Sequence, residues 1–570
     1  MEKDITRKKK LAIHALLLLV IVVSGFYIRV INLGATDIAV DESFGILAAK
    51  AVFETGKPIL PMEVKNYERA LWYTQLVVLS FKLLGVNEFS ARFPSVIFGL
   101  LSIILTFFIG RRFFGTTVGL IASFLLAFAP FEVEWSRICR FYMMFQFFFM
   151  FGFFAFYNGL ESEKHGTEEY ESKSNTTSSR AYGHFWLRIN SFISRWNINW
   201  WWLLLSLISL YVSFKVHQLT LLFFGSLLAY LFLMCVFIWI KHGFQETIRS
   251  KYFWFLSALA MAGVIGLAIP GVFGLLRALY EFRPSGYGEQ VLSVLPALKY
   301  SLFLGSASLF PLGALFILGC IQICTRADKA GFYALIFTIV PLLVLSLFGS
   351  TAGERYLLNV FPLIILIASY SIYTLFKSES RVLNENIFKG NKSRHEFSTM
   401  SMLFFVGLLV AFPSWGYYTY KVIKGDGQLI GGLHRPKRLK EACNYLKSHS
   451  MDGDVVVATL LNPMLYYCGR VDYFISKSHL TKLIDENEDQ FDQIGNLGKV
   501  KVIGDLGSLK NVLSNSKRGW IVVDSIRLNQ PHRVPEDIKK FIVQNPKLVL
   551  HKVETEDNIF VFSWGMNSGE

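Results

Sequence analysis

Apolar runs long enough to cross a membrane dominate the first 420 residues. Residues 11–31 are almost entirely apolar, and similar runs recur between short polar connections. A helix needs about 20 apolar residues to cross a bilayer. The pattern predicts about eleven spans by that criterion, at residues 11–31, 92–112, 116–134, 141–158, 198–214, 219–240, 254–276, 303–324, 331–349, 356–376 and 400–420.

The first apolar run predicts a retained anchor. It is too long for the core of a signal peptide, and no small-residue cleavage site follows it before Asp37. The leader "KDITRKKK" carries several positive charges, which favour the cytoplasmic side of a membrane. We therefore predict a cytoplasmic N-terminus, and an odd number of spans then leaves the C-terminus outside. Residues 1–425 form the predicted membrane module.

Two polar segments interrupt this module. Residues 32–91 follow the first span and form a predicted extracytoplasmic loop. Residues 159–197 are polar and rich in Ser and Thr, which predicts a flexible cytoplasmic loop. After about residue 430 the pattern changes once more, because helical patterns begin to alternate with short β-rich runs.

Six β-rich runs characterise this last part, namely "DVVVAT", "RVDYFI", "KVKVIG", "GWIVVD", "LVLHKV" and "IFVFSW". Strands that alternate with helices predict an α/β domain with a largely parallel sheet. We place this domain at residues 430–570, on the extracytoplasmic side. No G-x-G-x-x-G motif follows its first strand, so nucleotide binding has no support.

The first loop contains one short helical pattern. Apolar residues from Phe44 to Val52 recur at helical spacing, while Ser43, Lys50 and Glu54 share another face. Gly56 and the proline two residues later end the pattern. The segment is too short and too charged to span a bilayer, so we predict an amphipathic helix on the outer membrane surface.

Composition supports a membrane protein. The 570 residues are 53% hydrophobic and 16% aromatic, and the mean hydropathy is +0.42. The net charge of +15 would suggest nucleic acid in a soluble protein. Here it reflects Lys and Arg in cytoplasmic loops, and we predict no nucleic-acid partner.

The six cysteines show no spacing typical of metal ligands. Cys320 and Cys324 lie one helical turn apart in an apolar run, which is typical of small core residues. Cys443 and Cys468 in the last domain could pair, but their spacing does not favour it.

Adjacent carboxylates, Asp41 and Glu42, open the helical pattern of the first loop. Asp is a common helix N-cap, and its charge suits the helix dipole. However, Asp41 precedes Phe44 by three residues and so lies on the apolar stripe. A carboxylate at such a dry boundary suits a general base. Because neighbouring side chains diverge on a helix, we do not expect Glu42 to share the capping role.

Basic residues also occur near the predicted outer ends of the spans, namely Lys65, Arg69, Arg92, Arg137, Arg140, Lys215 and Arg355. Any one of them could extend towards lipid headgroups. Arg140 and Arg355 each begin a strongly apolar run, "RFYMMFQFFF" and "RYLLNVFPLI". An anionic ligand at the membrane surface explains both, because guanidinium groups bind phosphate well.

Several segments resemble the membrane-embedded GT-C glycosyltransferases, above all the protein O-mannosyltransferase and aminoarabinose transferase branches. The most specific likeness is "DESFGILAAKAVFETGKPILP", followed by "NYERALWYTQLVVLSFKLLGVNEFSARFPSVIFGLLSIILTFFIGRRFFG". "SRICRFYMMFQFF", "FKVHQLTLLFF" and "GERYLLNVFPLIILIASYSIY" follow in the order that the family shows. The resemblance covers roughly residues 11–375. It implies a polytopic α-helical membrane protein that uses sugars carried on polyprenyl phosphate.

The resemblance also implies roles for individual residues. Asp41 matches the acidic residue of the first loop that is thought to deprotonate the acceptor, and Glu42 matches its adjacent catalytic partner. Arg69, Arg140 and Arg355 match basic residues near the donor phosphate. The remaining matches imply substrate-binding residues, namely Tyr67, Glu68, Tyr142, His217 and Tyr356.

The chain departs from the family pattern in places. Ala70 stands where many relatives have proline, so the turn after Arg69 is expected to differ. The second outer loop lacks the acidic residue of some branches, which leaves Glu132 or Glu134 as substitutes. We predict no metal site and no required cofactor, and Glu68 and His217 are the candidates if a divalent metal binds.

These observations predict a glycosyltransferase that works on the extracytoplasmic side by a single inverting displacement. The expected partners are a polyprenyl-phosphate sugar, membrane lipids and a glycan, lipid or protein acceptor. The alternative is a lipid or sugar transporter or flippase, in which charges lie within the spans and halves repeat. Here the charges lie mostly at the outer boundary, and no internal repeat occurs. A third class, a receptor or scaffold, leaves the acids of the first loop without a purpose.

Overall fold

A computed structural model gives the architecture of the chain. It describes residues 2–60, 67, 69–161, 198–267, 306, 309, 312–326, 328–348, 354–386, 415–424, 436, 438–478, 494–497, 500–551 and 558–566. Seven helices cover the first part of the chain: α1 (Glu2–Val30), α2 (Val40–Thr55), α3 (Leu71–Leu84), α4 (Glu88–Phe114), α5 (Thr116–Phe128), α6 (Pro130–Ser136) and α7 (Tyr142–Leu160). The later helices of the membrane part are Trp200–Val216, Leu221–His242, Phe244–Arg249, Lys251–Leu267, Leu312–Arg326, Lys329–Phe348 and Phe361–Asn386.

Long apolar helices confirm an integral membrane protein. Five segments among the described residues are long and apolar enough to cross a bilayer: Lys8–Val30, Glu88–Phe114, Tyr142–Leu160, Gln218–His242 and Lys329–Ser346. Helices α5 and α6 meet at 61° and together make a sixth candidate. Four shorter apolar helices overlap other predicted spans: Trp200–Val216, Lys251–Gly266, Leu312–Arg326 and Phe361–Lys377.

Several predicted segments lie partly outside the described residues. The predicted span at 254–276 is described as far as residue 267, and that at 303–324 at residues 306, 309 and 312–324. Of the predicted span at 400–420, the structure describes a helix from residue 415 onward. Of the predicted cytoplasmic loop at 159–197, residues 162–197 fall outside the described part. The count of about eleven spans and the boundaries of the predicted domains therefore stay predictions.

The chain divides into two compact units. The first comprises residues 1–28, 98–133 and 142–420, and the second comprises residues 29–97, 134–141 and 421–570. The second unit thus groups the first loop with the C-terminal domain. Each unit has its own arrangement of helices and its own buried polar groups.

Close helix packing and one ionic cluster characterise the first unit. Gly110 and Gly119 let α4 and α5 approach closely, since a Cβ atom built on Gly110 would lie 2.6 Å from the Cα atom of Gly119. At the end of α7, Glu161 accepts hydrogen bonds from the Tyr252 hydroxyl at 2.8 Å and from the ammonium group of Lys329 at 2.6 Å. This carboxylate therefore links three helices of the bundle.

In the second unit, α2 forms where the sequence predicts it. Gly56 ends the helix with a φ of 77°, as the pattern indicates. The helix is more buried than a surface helix, because Ser43, Gly45 and Ile46 are all inaccessible to solvent. Its apolar side packs in a cluster with Leu465, a residue of the C-terminal domain. Protein, rather than a lipid surface alone, therefore covers this helix.

The C-terminal domain contains a seven-stranded sheet with the order β3-β4-β2-β1-β5-β7-β6. The strands are β1 (Val455–Ala458), β2 (Tyr473–Ile475), β3 (Ile494–Leu497), β4 (Val500–Ile503), β5 (Gly519–Asp524), β6 (Val549–His551) and β7 (Ile559–Trp564). Its helices are Leu439–His449, Asn462–Tyr467, Leu506–Asn515, Ser525–Leu528 and Glu536–Gln544. The α/β class is confirmed, and all six predicted β-rich runs form strands.

The sheet is mixed rather than largely parallel. The four central strands, β4, β2, β1 and β5, pair in parallel, whereas β3, β7 and β6 pair antiparallel at the two sides. Strand β3 was not predicted, because its sequence "IGNL" contains Gly and Asn, which are depleted in strands. The last two strands are antiparallel because β6 and β7 form a hairpin at the edge.

Three contacts tie the first loop to the C-terminal domain within the second unit. The Asp37 carboxylate accepts a hydrogen bond from the backbone N–H of Leu439 at 2.6 Å. The Tyr467 hydroxyl accepts one from the backbone N–H of Ile38 at 3.0 Å. Glu88 forms an ion pair with Lys440 at 2.9 Å. The first loop is therefore held by the segment that begins the C-terminal domain.

A disulfide bond joins Cys443 and Cys468, whose Cα atoms lie 4.9 Å apart. Cys443 lies on the helix that begins at Leu439, and Cys468 follows Tyr467 directly. The bond therefore links the same two elements that hold the first loop. The sequence left this pairing open, and the geometry of the fold decides it.

Candidate active site in the first loop

Glu42 is the structural anchor of the first loop. It is fully buried, and its Oε2 accepts a hydrogen bond from the backbone N–H of Ala39 at 3.0 Å, three residues earlier. Glu42 thus satisfies an N–H at the start of α2, as the third residue of a helix often does. The expectation that Glu42 would not share the capping role was wrong, because Ala39 at the N-cap has no polar side chain.

Arg92 completes this anchor. Its Nε donates to Glu42 Oε1 at 2.7 Å, and its Nη2 donates to Glu42 Oε2 at 3.0 Å. Its Nη1 donates to the backbone oxygens of Leu33 and Thr36 at 2.7 and 2.9 Å. Arg92 is therefore committed to holding the first loop rather than to a ligand or to lipid headgroups.

A second segment, residues 134–141, is fixed to the same carboxylate. The backbone N–H of Cys139 donates to Glu42 Oε1 at 2.8 Å. Arg137 donates to the backbone oxygens of Arg29 and Ile31 at 3.0 and 2.7 Å, where α1 ends. A cation suits the carbonyl groups at a helix C-terminus. Arg137, like Arg92, thus donates hydrogen bonds to backbone oxygens.

Asp41 lies beside this anchor as the second residue of α2. Its side chain is half-buried, unlike that of Glu42. Its backbone oxygen accepts a hydrogen bond from Arg140 Nη1 at 2.8 Å. The two carboxylates of the pair therefore differ in environment, since Glu42 is enclosed by donors and Asp41 keeps access to solvent.

Arg69 and Arg140 meet at one aromatic ring. The Cζ atom of each guanidinium lies 5.1 Å from the ring centroid of Phe141. An aromatic face attracts cations at this distance, which offsets part of the repulsion between the two positive charges. Arg69 is exposed, whereas Arg140 is largely buried. The arrangement makes a compact positive group, and Arg140 links this group to the backbone oxygen of Asp41.

Tyr67 belongs to the same group. It forms a side-chain hydrogen bond with Arg140, and its pKa is raised by burial, against which the charges of Arg140 and Arg69 act. Its phenol therefore stays protonated at neutral pH and offers an O–H donor near the two guanidinium groups. Glu68, between Tyr67 and Arg69 in sequence, lies outside the described residues.

Ala70 explains the departure from the family pattern at this point. Its backbone is left-handed, with φ 51° and ψ 47°. Proline cannot adopt this conformation, because its ring holds φ near −65°. The turn that follows Arg69 therefore has a conformation that a proline at position 70 could not adopt.

The other predicted site residues lie in the first unit and form a group of their own. His217 follows the helix Trp200–Val216, and its Nδ1 accepts a hydrogen bond from the backbone N–H of Leu219 at 3.0 Å. The proton of the neutral ring therefore lies on Nε2. The ring lies 5.6 Å from that of Tyr142 and 6.3 Å from that of Tyr356, measured between centroids.

Arg355 joins this second group through Tyr356. Its Cζ atom lies 5.3 Å from the ring centroid of that neighbour, in a short turn of 3₁₀ helix at Glu354–Leu357. The structure thus brings four predicted residues together through ring contacts. His217 lies against Tyr142 and Tyr356, and Tyr356 lies against Arg355. Their functional roles stay predictions.

Glu132 is one of the two residues proposed in place of the acidic residue of the second outer loop, and its carboxylate is enclosed by protein. It is fully buried and accepts a hydrogen bond from Gln146. Gln146 also donates to the backbone oxygen of Leu358 at 2.8 Å. The carboxylate thus lies inside the bundle of the first unit. Glu134 belongs to the second unit and is also buried.

Within the described part of the chain, no cluster of three or more His, Cys, Asp or Glu side chains is suited to a metal. The one predicted metal candidate that the structure describes, His217, uses Nδ1 for a backbone hydrogen bond. Its ring also lies against those of Tyr142 and Phe145.

Sequence reasoning missed the role of Phe141, although it singled out both arginines. The signal is present in "RICRFY", where an aromatic residue follows Arg140 directly. It also did not separate Arg92 and Arg137 from Arg69 and Arg140. All four arginines precede or follow apolar runs. The local sequence pattern is therefore the same for Arg92 and Arg137, which bind backbone oxygens, as for Arg69 and Arg140, which contact Phe141.

Comparisons with known proteins gave one family match and several similar solved structures. The model of the family described as dolichyl-phosphate-mannose-protein mannosyltransferase matches residues 69–167. No curated protein sequence matches the chain. ArnT from Cupriavidus metallidurans in the apo state has a TM-score of 0.55 at 14% identity, over 98% of each chain.

Two further structures share the architecture. ArnT from Cupriavidus metallidurans bound to undecaprenyl phosphate has a TM-score of 0.55 at 13% identity, over 96% of this chain and 98% of that chain. The oligosaccharyltransferase AglB from Archaeoglobus fulgidus, in complex with an inhibitory peptide and a dolichol-phosphate, has a TM-score of 0.54 at 12% identity, over 90% of this chain and 69% of that chain.

These likenesses define the class of the protein. The chain has the polytopic GT-C fold of membrane glycosyltransferases, with a C-terminal α/β domain. Together with the mannosyltransferase family match, the fold indicates a glycosyltransferase.

Proposed function

We propose that the protein transfers a sugar from a polyprenyl-phosphate donor to an acceptor hydroxyl, in a single displacement with inversion. The observation that carries this proposal is the group around Phe141, in which two guanidinium groups lie against one ring. One of them, that of Arg140, also binds the backbone oxygen of Asp41, whose carboxylate is half-buried. Two cations and one carboxylate are the charges that such a reaction requires.

The donor side of the reaction depends on Arg69 and Arg140. The leaving group is a phosphate ester that needs its negative charge neutralised more than it needs a proton. Guanidinium groups pair with phosphate oxygens in a planar, bidentate geometry. Held in place by Phe141, they stabilise the charge that develops as the glycosidic bond breaks. Tyr67 contributes an O–H donor to the same phosphate.

The acceptor side depends on Asp41. Its carboxylate takes the proton from the acceptor hydroxyl as the oxygen attacks the anomeric carbon, and the polyprenyl phosphate leaves from the opposite face. One base is sufficient for this displacement. Glu42 has a different role in the proposal, because its hydrogen bonds with Ala39, Arg92 and Cys139 make it a positioning residue.

We place the reaction on the extracytoplasmic side of the membrane. The disulfide bond between Cys443 and Cys468 supports this placement, because disulfides persist mainly in oxidising compartments. The first loop is bound to the disulfide-linked segment through Asp37 and Ile38, so both lie on the same side. The proposal therefore has a cytoplasmic N-terminus and an extracytoplasmic C-terminal domain.

The disulfide gives the first prediction. In protein isolated from membranes without reductant and then denatured, we expect a maleimide to leave Cys443 and Cys468 unlabelled. Both should react after reduction. Cys324, an exposed free thiol, should react in both conditions and is the internal control. Removing the bond in a Cys443→Ser/Cys468→Ser variant should cost about 3 kcal/mol of stability for a loop of this length.

Complete labelling of both cysteines without reductant would place the C-terminal domain in a reducing compartment and contradict the proposed side of the membrane.

Phe141 gives a second prediction. We expect Phe141→Met to weaken the binding of polyprenyl phosphate to the purified protein about tenfold, because two cation–π contacts of about 0.5–1 kcal/mol each are lost. Methionine refills most of the buried space. The matched control is Phe131→Met, the same change at a buried phenylalanine of the other unit. Equal effects of the two changes would mean that Phe141 acts through packing alone.

One experiment separates the proposed enzyme from a transporter. The surface glycans and glycolipids of a deletion strain should lack one sugar, and this loss identifies the donor sugar and the acceptor. Purified protein in detergent should then form that product from the polyprenyl-phosphate donor without a vesicle or a gradient. Transport of the lipid across vesicles without transfer in detergent would favour the flippase alternative.

A further inference from the structure

The sheet of the C-terminal domain has a point where its connections diverge. Strand β1 has β2 on one side and β5 on the other, and all three run parallel. In such sheets the loops at the carboxyl ends separate at this point and leave a crevice that commonly binds ligands. The described residues that follow these strands are 459–461 after β1, 476–478 after β2 and 525–535 after β5.

Two arginines lie on the loop after β5, at this edge. Arg527 lies on the short helix Ser525–Leu528, whose N-cap Asp524 accepts a hydrogen bond from the backbone N–H of Arg527 at 2.8 Å. The backbone oxygen of Arg533 accepts a hydrogen bond from the N–H of Lys477, which follows β2, at 2.8 Å. The loop therefore crosses from the end of β5 to the end of β2 and carries both arginines along the crevice.

Both arginine residues are half-buried. Burial lowers the pKa of Arg527 to about 10; the charge of Arg533 also lowers it, and the charges of Asp524 and Asp41 act against the shift. Burial likewise lowers the pKa of Arg533, against the charge of Asp41. Both groups remain charged at neutral pH. Among the described residues, neither has a carboxylate within ion-pair distance. Half-buried cations without such a partner favour an anionic ligand.

The carboxyl edge of this sheet lies beside the helix that bears Asp41. Leu465, on the helix that follows β1, packs against the apolar side of α2, and both belong to the second unit. The negative charge of Asp41 also acts on both Arg527 and Arg533. Arg69 and Arg140 act on Tyr67 instead. The second unit thus presents two pairs of arginines to the surroundings of Asp41, one from the membrane loops and one from the C-terminal domain.

We propose that Arg527 and Arg533 bind an anionic group of the acceptor, a phosphate, sulfate or carboxylate, and thereby hold the acceptor hydroxyl beside Asp41. The inference rests on the proposed function, in which Arg69 and Arg140 hold the donor phosphate. It makes the C-terminal domain the part of the enzyme that selects acceptors by charge.

The test uses the full-length protein in lipid nanodiscs that are saturated with polyprenyl phosphate, so that the donor site is filled. Inorganic phosphate is then titrated by calorimetry. We expect Arg527→Gln/Arg533→Gln to weaken phosphate binding at least tenfold. The matched control is Arg470→Gln, which removes an exposed arginine that precedes β2 and so lies at the opposite edge of the sheet. An unchanged affinity in the double variant would overturn the proposal.

The same variants show which substrate the pair serves. Polyprenyl phosphate binding should change less than twofold in Arg527→Gln/Arg533→Gln and should fall strongly in Arg69→Gln. An equal loss in both variants would assign Arg527 and Arg533 to the donor and overturn the inference. Wild-type binding in Arg69→Gln would instead contradict the proposed donor site, which makes the two failures distinguishable.

A structural role is tested separately. If the two arginines serve a ligand, their replacement removes half-buried charge and should leave the unfolding temperature unchanged or raise it. A fall of several degrees would show that they serve the fold and would overturn the proposal. The charge-preserving variant Arg527→Lys/Arg533→Lys should recover part of the phosphate affinity.

Discussion

Asp41→Asn should lower the rate of sugar transfer about 1,000-fold, because removal of a general base costs roughly 10²–10⁴ in rate. The change keeps the size of the side chain and leaves the backbone oxygen that binds Arg140 in place. We therefore expect normal folding and normal binding of polyprenyl phosphate. The measurement is the rate at which purified protein forms the product that the deletion strain lacks.

A matched control lies on the same helix. Glu54→Gln removes an exposed carboxylate from the last turn of α2, where it pairs with Lys50 across 3.8 Å. This variant should transfer sugar at the wild-type rate. Full restoration of the missing surface glycan by Asp41→Asn, at a rate within tenfold of wild type, would remove Asp41 from the role of base.

Glu42→Gln should destabilise the protein by about 3–5 kcal/mol, since it leaves the guanidinium of Arg92 buried without its counter-charge. The amide has one oxygen where the carboxylate has two, so it cannot accept from Ala39, Arg92 and Cys139 together. Thermal unfolding in detergent measures the loss. Faster reaction of the buried Cys139 thiol with a maleimide reports local opening.

Two control variants test whether the loss of stability arises from breaking the ion pair between Glu42 and Arg92. Glu54→Gln, an exposed carboxylate of the same helix, should change stability by less than about 0.5 kcal/mol. The double variant Glu42→Gln/Arg92→Gln should lose less than the sum of the two single changes, because neither charge is then left alone. Additive losses would mean that the two residues act independently, against the geometry.

These predictions give the two adjacent acids different roles: Asp41→Asn should lower the rate of transfer, whereas Glu42→Gln should lower stability. Residue type and position predict that Asp41 and Glu42 both matter, and the periodicity puts Asp41 at the start of a helix. What the pattern could not predict is that donors from positions 92 and 139 enclose Glu42. These contacts are separated by 50 and 97 residues along the chain, beyond the reach of any local pattern.

The basic residues illustrate the same limit. A guanidinium group at the end of an apolar run can bind backbone oxygens, an aromatic ring or a ligand. Which of these it binds depends on the groups that tertiary folding brings near it. Arg137 meets backbone oxygens at the end of α1, whereas Arg140, three residues later, meets Phe141 and Asp41. Sequence predicts the cations and the membrane boundary at which they lie, but not this division.

The strands of the C-terminal domain were more predictable. Runs such as "GWIVVD" are short, β-branched and bounded by Gly or charged residues, so six of them could be recognised from pattern alone. The parallel or antiparallel direction of each pair was not, because it depends on how the connections pass over the sheet. The same holds for Cys443 and Cys468, whose proximity follows from the packing of two helices.

The contacts between the first loop and the C-terminal domain also set the order of events on the ribosome. The partners of Asp37 and Ile38 are translated 402 and 429 residues after them. The loop that carries Asp41 therefore emerges early and stays incomplete while the membrane helices are inserted, since domains generally fold in order of synthesis. A nascent chain that has not yet reached Leu439 and Tyr467 therefore lacks the contacts that hold the first loop.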